Sequence, residues 1–155
     1  MITFNKSDYD TILEYAKKNL PEEACGLIGG TIEDGDKHVK KVYLLTNIDH
    51  SNEHFSMDPK EQLAAVKDMR ANGLVPLGNW HSHPESPSRP SEEDKRLAYD
   101  SKASYMILPY RRKCIRKRRF TYYLVVCNYI SQSRGRKRNG VICLCRELRS
   151  FFNIE

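Results

Sequence analysis

The sequence has no apolar run long enough to cross a membrane, because nothing in its 155 residues approaches the about 18 consecutive apolar positions that a spanning helix needs. The first twenty residues mix polar and apolar side chains and lack the apolar segment of a secretory signal. Five cysteines, an odd number without such a signal, argue against a disulfide framework. We therefore expect a cytoplasmic protein of one domain, since this length suffices for one hydrophobic core and is short for two.

Acidic residues are missing from residues 111–140, which hold 11 basic residues. Residues 1–108 carry 13 Lys and Arg against 18 Asp and Glu, a net charge of −5, whereas residues 109–155 carry 13 against 2, a net charge of +11. This division predicts a domain core over 1–108 and an atypical basic C-terminal segment over 109–155. The segment either supplies closing strands of the same domain or is a tail read out of frame, since a change of reading frame produces such a sudden shift.

The basic segment also holds four of the five cysteines, Cys114, Cys127, Cys143 and Cys145. Their spacings fit no standard zinc knuckle, so a second, structural zinc site is not expected. Few aromatic residues interleave with the basic ones, which disfavours nucleic-acid binding and favours a solvated segment.

Two helices are predicted from apolar periodicity and from their end signals. The first has Ser7 as its N-cap and stops at Pro21. The second has Asp58 as its N-cap, Pro59 at its first position and Gly73 after its end. Its inner face is predicted from apolar spacing to hold Leu63, Val66 and Met69.

Strands are predicted at 24–30, 39–45, 75–82 and 104–108, with weaker candidates at 120–130 and 141–148. A turn is expected at 33–36, a stiff proline-rich loop at 84–90 and a short helix at 91–99. This mixed order indicates an α/β or α+β domain, in which helices flank a mixed β-sheet.

Two histidines stand two residues apart where the strand 75–82 ends, in His81-Ser82-His83-Pro84. Because alternate side chains of a strand share a face, His81 and His83 can bind one metal ion together. Ser91 and Asp94 would share the first turn of the following helix. Two histidines and one carboxylate leave a fourth tetrahedral position open, as in catalytic zinc sites. The pattern points to a zinc hydrolase, against the alternative that Asp94 merely forms a capping arrangement with Ser91.

A zinc hydrolase also needs a general base that takes the proton of the attacking water. Glu22 and Glu23 stand side by side where the first helix ends and a strand begins, and either is placed to reach the site. Glu22, in the alternative, is solvated and neutralised by Lys17 or Lys18. The Ser91 hydroxyl is suited to donate a hydrogen bond to the oxyanion of a tetrahedral intermediate.

These residues carry a resemblance to a known family. The pattern E-x-C-G at 23–26 and the pattern H-x-H-P-x6-S-x-x-D at 81–94 resemble the motif of the JAMM metallopeptidases, also called the MPN+ or JAB family. The segments FSMDP at 55–59 and GNWHSHPESP at 78–87 are similar to the compact prokaryotic Mec+ branch. The resemblance covers roughly residues 1–108 and is specific, because several residue types recur at fixed spacings.

The resemblance implies a cytidine-deaminase-like MPN/JAB fold with one Zn²⁺ per chain. Matched by position, it assigns zinc binding to His81, His83 and Asp94. It makes Glu23 the general base and then the acid, and Ser91 the group that stabilises the oxyanion. Cys25 is expected to be a small buried residue, and Trp80 is expected in the core or in the wall of a pocket.

Family members hydrolyse peptide or isopeptide bonds after the C-terminal Gly-Gly of ubiquitin-like proteins, and the Mec+ branch is similar to enzymes that process bacterial sulfur-carrier proteins. The chain between Glu23 and His81 has no room for the large insertions by which eukaryotic relatives select ubiquitin linkages. The expected partner is therefore a ThiS/MoaD-like carrier, with no membrane and no nucleic acid. The alternative is a non-catalytic MPN-type scaffold or binding module, although such relatives typically lack part of the ligand set.

Overall fold

The computed structural model describes residues 2–85, 90–109 and 125–127. Its elements are β1 (Ile2–Thr3), α1 (Lys6–Lys18), β2 (Cys25–Glu33), β3 (Asp36–Leu45), α2 (Pro59–Ala71), β4 (Val75–His83), α3 (Glu92–Leu97), β5 (Ser104–Pro109) and β6 (Val125–Cys127). The strands form one sheet in the order β1-β3-β2-β4-β5-β6. Because β1 is parallel to β3 and β4 to β5 while the other neighbours are antiparallel, the predicted mixed sheet is confirmed.

Helices α1 and α2 cover opposite faces of this sheet. The two adjacent β2 residues Leu27 and Ile28 show the division, because successive side chains of a strand point to opposite faces. Ile28 belongs to the core under α1, which also holds Tyr9, Ile12, Leu13, Ala16, Leu77, Trp80, Met106 and Leu108. Leu27 packs against the core under α2, which holds Tyr43, Leu45, Ala65 and Met69.

Helix α1 begins earlier than predicted. Its N-cap is Asn5, which has an extended backbone and accepts a hydrogen bond from the Tyr9 N–H at 3.1 Å. The predicted N-cap, Ser7, is wrong, because Ser7 already lies in the first turn, where its carbonyl accepts from the Thr11 hydroxyl. Asparagine ranks with serine as an N-cap, so residue type alone does not separate the two positions.

Helix α2 has the predicted ends, with Asp58 accepting hydrogen bonds from the first turn and Gly73 in the left-handed region after it. Its predicted inner face is partly wrong. Leu63 is 56% exposed, whereas Met69 is fully buried together with Ala65, which the apolar spacing did not select. Ala65 packs with Tyr43, Leu45 and Met69 in the core under α2.

Pairing of β2 with β4 determines which side chains of β4 share a face. The register sets Leu27 opposite Asn79 and Cys25 opposite His81. Asn79, His81 and His83 therefore project from the face that carries Leu27, while Trp80 and Ser82 project to the other face. Cys25 and Trp80 are both buried, as predicted.

Gly26 leaves room for the indole ring of Trp80 beside β2. The Trp80 Nε1–H donates a hydrogen bond of 3.1 Å to the Tyr43 carbonyl, across the Gly26 position. A Cβ on Gly26 would lie 1.9 Å from that carbonyl oxygen and 2.4 Å from Trp80 Nε1. Any larger residue must therefore displace either the backbone of β3 or the indole ring.

The predicted strand at 120–130 contains β6, and the rest of that prediction lies outside the described residues. The same holds for the candidate strand at 141–148, for Cys114, Cys143 and Cys145, and for residues 86–89 of the proline-rich loop. Within the part of the chain that is described, no helix combines the length and the apolar character needed to span a membrane.

We expect the Gly26→Ala variant to lose about 1–3 kcal/mol of unfolding free energy, the usual cost of overpacking a tight site. Gly29→Ala is the matched control, because the added Cβ would meet only the flexible Met69 side chain, at 3.0 Å or more. Urea unfolding of both variants measures the difference. Equal stabilities for the two variants would contradict the role given to Gly26.

Candidate metal centre

Three side chains of metal-ligand type meet at the end of β4. His81 Nε2 and His83 Nε2 lie 2.9 Å apart. Asp94 Oδ1 lies 3.3 Å from His81 Nε2, and Asp94 Oδ2 lies 3.5 Å from His83 Nε2. In a tetrahedral zinc site with bonds of about 2.0–2.1 Å, neighbouring ligand atoms are about 3.3–3.4 Å apart. The three residues therefore fit one small tetrahedral ion and leave its fourth position open.

Burial and mutual contacts shift the pKa values of His81 and Asp94 in the directions that favour metal binding. His81 is 3% exposed, and burial lowers the pKa of its imidazole against the opposing effect of Asp94. Burial alone would raise the pKa of Asp94, but hydrogen bonds with His81, His83 and Ser91 outweigh it and hold that pKa well below its ordinary value. A neutral imidazole and an ionised carboxylate are the forms that coordinate metals.

Asp94 is fixed by the capping box of α3. The Ser91 N–H and hydroxyl donate hydrogen bonds of 2.7 and 2.6 Å to Asp94 Oδ2, and the Asp94 N–H donates one of 3.0 Å to Ser91 Oγ. The capping arrangement and the cluster with the histidines thus occur together rather than as alternatives. The cap engages mainly Oδ2, while Oδ1 faces His81.

Glu23 lies buried at the start of β2, with 3% of its surface exposed. The pairing of Cys25 with His81, extended by two residues, sets Glu23 beside His83. Burial raises the pKa of Glu23 to about 8, while His83 opposes the rise and Asp94 adds to it. A cation on the neighbouring ligands would also oppose it. The structure thus brings a titratable carboxyl group with a raised pKa next to the cluster.

Glu22 has a different environment from its neighbour. Its carboxylate is partly exposed and lies 3.1 Å from His50 Nδ1. The predicted neutralisation by Lys17 or Lys18 is therefore wrong, because the loop after β3 brings His50 to Glu22 instead. Of the two adjacent glutamates, only Glu23 is buried beside the cluster.

Ser82, the residue between the two histidines, ties β4 to the backbone beside Glu23. Its hydroxyl accepts a hydrogen bond of 2.9 Å from the Ala24 N–H, and its own N–H donates one of 2.9 Å to the Ala24 carbonyl. Ser82 is 1% exposed. In the sequence, the only sign of this structural role is that Ser82, as the residue between His81 and His83, points to the opposite face of the strand.

Asn47 is a second buried polar residue that sequence reasoning missed. Its side-chain N–H groups donate to the carbonyls of Glu23 and His54, at 3.0 and 3.2 Å. Its side-chain oxygen accepts from the N–H groups of Asp49 and Ser56, at 3.1 and 3.2 Å. One amide thereby fixes the loop after β3 to the residue that carries the candidate base. An asparagine directly after a strand indicates a turn, but not these partners.

That loop also places Phe55 over one histidine of the cluster. The rings of Phe55 and His81 stack with centroids 4.7 Å apart and an angle of 28° between their planes. Beside them opens a pocket of about 50 Å³, lined mostly by apolar groups including Leu97 and Ile107, with Asp94 at its edge. The cluster is thus reached from a small, largely apolar pocket.

Comparison with known proteins agrees with this site. The family model described as prokaryotic homologs of the JAB domain matches residues 5–121. The chain is 28% identical over 102 residues to the CysO-cysteine peptidase of Mycobacterium tuberculosis, which is 66% of this chain and 68% of that protein. It is 30% identical over 95 residues to a desampylase of Haloferax volcanii, which is 57% of this chain and 66% of that protein.

The fold is similar to the solution structure of protein DSY2949 from Desulfitobacterium hafniense, with a TM-score of 0.68 and 52% sequence identity. That similarity covers 81% of this chain and 84% of the other. The family match spans most of the chain and includes all five residues of the two motifs, from Glu23 to Asp94. The protein belongs to the prokaryotic JAB-domain family.

Proposed function

We propose that the protein is a zinc metallopeptidase that hydrolyses the peptide or isopeptide bond after the C-terminal Gly-Gly of a small ubiquitin-like or sulfur-carrier protein. The observation that carries this proposal is the convergence of His81, His83 and Asp94 on one point beside the buried Glu23. The names of the relatives, a CysO-cysteine peptidase and a desampylase, support this class of reaction. A non-catalytic scaffold would need neither the complete ligand set nor a buried carboxylate next to it.

His81, His83 and Asp94 would hold the zinc ion through Nε2, Nε2 and a carboxylate oxygen. When bound, zinc supplies a Lewis acid that polarises the substrate carbonyl and lowers the pKa of the attacking water. The three residues would therefore both place the ion and, by leaving one position open, admit the reactants to it.

Glu23 would take the proton from the attacking water and deliver it to the leaving amine. Its burial favours this role, because a carboxylate in an apolar environment binds a proton more tightly than one in water. The Asn47 and Ser82 contacts hold the peptide group between Glu23 and Ala24, and the Glu23 N–H donates a hydrogen bond of 2.7 Å to the Ser51 carbonyl, so the backbone is fixed on both sides of the Glu23 Cα.

Ser91 would stabilise the oxyanion of the tetrahedral intermediate. Its hydroxyl has a single hydrogen, which it donates to Asp94 Oδ2 in this structure. To serve the oxyanion it must rotate that hydrogen toward the substrate, while the Ser91 N–H keeps its own bond to Asp94. The cap would therefore continue to hold Asp94 during the reaction.

We expect purified protein to bind about one Zn²⁺ per chain, as a site with three protein ligands requires. His83→Ala should lose most of the metal, because it removes one of three ligands, whereas the exposed His50 can be replaced by alanine without loss. Metal analysis after exhaustive dialysis measures the content. Full zinc occupancy in a His81→Ala/His83→Ala double variant would disprove the assignment.

Glu23→Gln should keep its zinc and lose turnover by roughly 10²- to 10⁴-fold, because an amide cannot carry the proton from water to the leaving amine. Glu22→Gln is the matched control, a change of the same kind one residue away, and should keep both zinc and turnover. Initial rates and metal content are measured on the same preparations. An active Glu23→Gln together with an inactive Glu22→Gln would transfer the base role to Glu22.

The substrate is tested with a ThiS/MoaD-like carrier that ends in Gly-Gly-X. A glycine-rich terminus is narrow and extended, so it fits a site that is bordered by Phe55 and Leu97. We expect the zinc-loaded protein to cleave after the last glycine, and to cleave slowly or not at all when the penultimate glycine is replaced by phenylalanine. Mass spectrometry follows both reactions. Equal rates for the two carriers, or cleavage of unrelated unstructured peptides alone, would count against carrier processing.

A further inference from the structure

Two buried polar atoms of β4 have no hydrogen-bond partner among the described residues, Asn79 Oδ1 and His81 Nδ1. Both residues line the pocket beside the cluster. They stand two positions apart on the same face of the strand. Since buried polar atoms in folded proteins are nearly always paired, two unpaired ones at one pocket indicate a place where a ligand supplies the missing bonds.

One of the two atoms can donate a hydrogen bond, and the other can accept one. His81 Nε2 faces Asp94 and His83, so a neutral His81 that binds a metal through Nε2 carries its hydrogen on Nδ1. A metal-binding histidine ordinarily donates this second N–H to a carboxylate, a carbonyl or a water. Asn79 Oδ1 can only accept. The two residues therefore bring one unpaired donor and one unpaired acceptor to the lining of the pocket.

The walls of the pocket are largely apolar. Phe55, Leu97 and Ile107 line it, and a charged group would lose hydration against them. The carboxylate of Asp94 at the edge is already engaged by Ser91 and the histidines. A volume of about 50 Å³ admits a group of only a few heavy atoms. A single peptide unit is neutral and small, and it carries both a carbonyl and an N–H.

We propose that this pocket binds one peptide unit of the substrate next to the scissile bond. The substrate carbonyl accepts a hydrogen bond from His81 Nδ1–H, and the substrate N–H donates one to Asn79 Oδ1. This inference rests on the proposed peptidase function and identifies which part of the substrate β4 recognises. It also means that the substrate itself completes the hydrogen bonding of a metal ligand, so that His81 is fully oriented only when substrate is bound.

The test uses two probes of nearly equal shape, N-methylacetamide and methyl acetate, of which only the first has an N–H. Each is titrated into full-length, zinc-loaded protein with ¹⁵N-labelled histidine, and the His81 Nδ1–H resonance is followed by NMR. We expect N-methylacetamide to shift this resonance and to bind about tenfold more tightly than methyl acetate, the usual effect of one hydrogen bond. Equal binding of the probes, or no shift with either, would overturn the proposal.

Asn79→Leu should abolish the preference for N-methylacetamide, because it removes the acceptor while keeping a side chain of similar size. Its unfolding midpoint should equal or exceed that of the parent, since the leucine replaces a buried atom that has no partner. Asn72→Leu, at the exposed end of α2, is the matched control and should keep the preference. A preference that persists in Asn79→Leu, or one that is lost only together with thermal stability, would show that Asn79 has no part in recognition.

Carrier cleavage is measured in parallel to separate this inference from the proposed function. If the protein cleaves the carrier but binds both probes equally, the proposed function stands and the peptide-unit pocket is refuted. If the protein prefers N-methylacetamide but cleaves no Gly-Gly-X carrier, the peptide-unit pocket is supported and the assigned substrate is refuted.

Discussion

The antiparallel pairing of β2 with β4 is the constraint on which the site depends. It sets Cys25 opposite His81, and thereby brings the two residues before β2, Glu23 and Ala24, against the end of β4 where the histidines stand. A shift of one residue in this register would send both imidazoles to the α1 face and Trp80 to the α2 face. Gly26 favours the observed register, because a Cβ at its position would lie 2.4 Å from the indole nitrogen of Trp80. The packing of Trp80 in the core under α1 thus fixes the face on which His81 and His83 lie.

Gathering two histidines and two carboxylates in a buried place is unfavourable unless each polar group has a partner. Contacts with nearby groups supply these partners. Asp94 is held by the capping box of a six-residue helix, and so it needs no long helix to fix its position. The backbone around Glu23 is held by single side chains, Asn47 from one side and Ser82 from the other. These contacts come from the protein's own groups, and they hold Asp94 and the backbone of Glu23 in place around the position that a metal would take.

Much of this site could be predicted from the sequence, because local patterns carry it. The period of two in a strand gives the common face of His81 and His83, and the spacing of Ser91 and Asp94 gives the capping box. What sequence reasoning missed depends on contacts between distant segments. The pairing of Glu22 with His50 and the role of Asn47 arise only when the loop after β3 folds back on β2. Leu63 was wrongly placed for a related reason, since apolar spacing does not reveal that α2 approaches the sheet through Ala65.

The two faces of β4 differ in how completely the protein satisfies their polar atoms. On the face toward α1, Trp80 Nε1 donates to Tyr43 and the Ser82 hydroxyl accepts from Ala24, so this face is finished by the protein itself. On the other face, within the described residues, Asn79 Oδ1 and His81 Nδ1 lack partners, although both are buried. The same strand with the same neighbours could have been completed on both faces. Under the proposed function, the hydrogen bonds left open on the face of His81 and His83 belong to the substrate, which binds and leaves, whereas those of the α1 face belong to the fold.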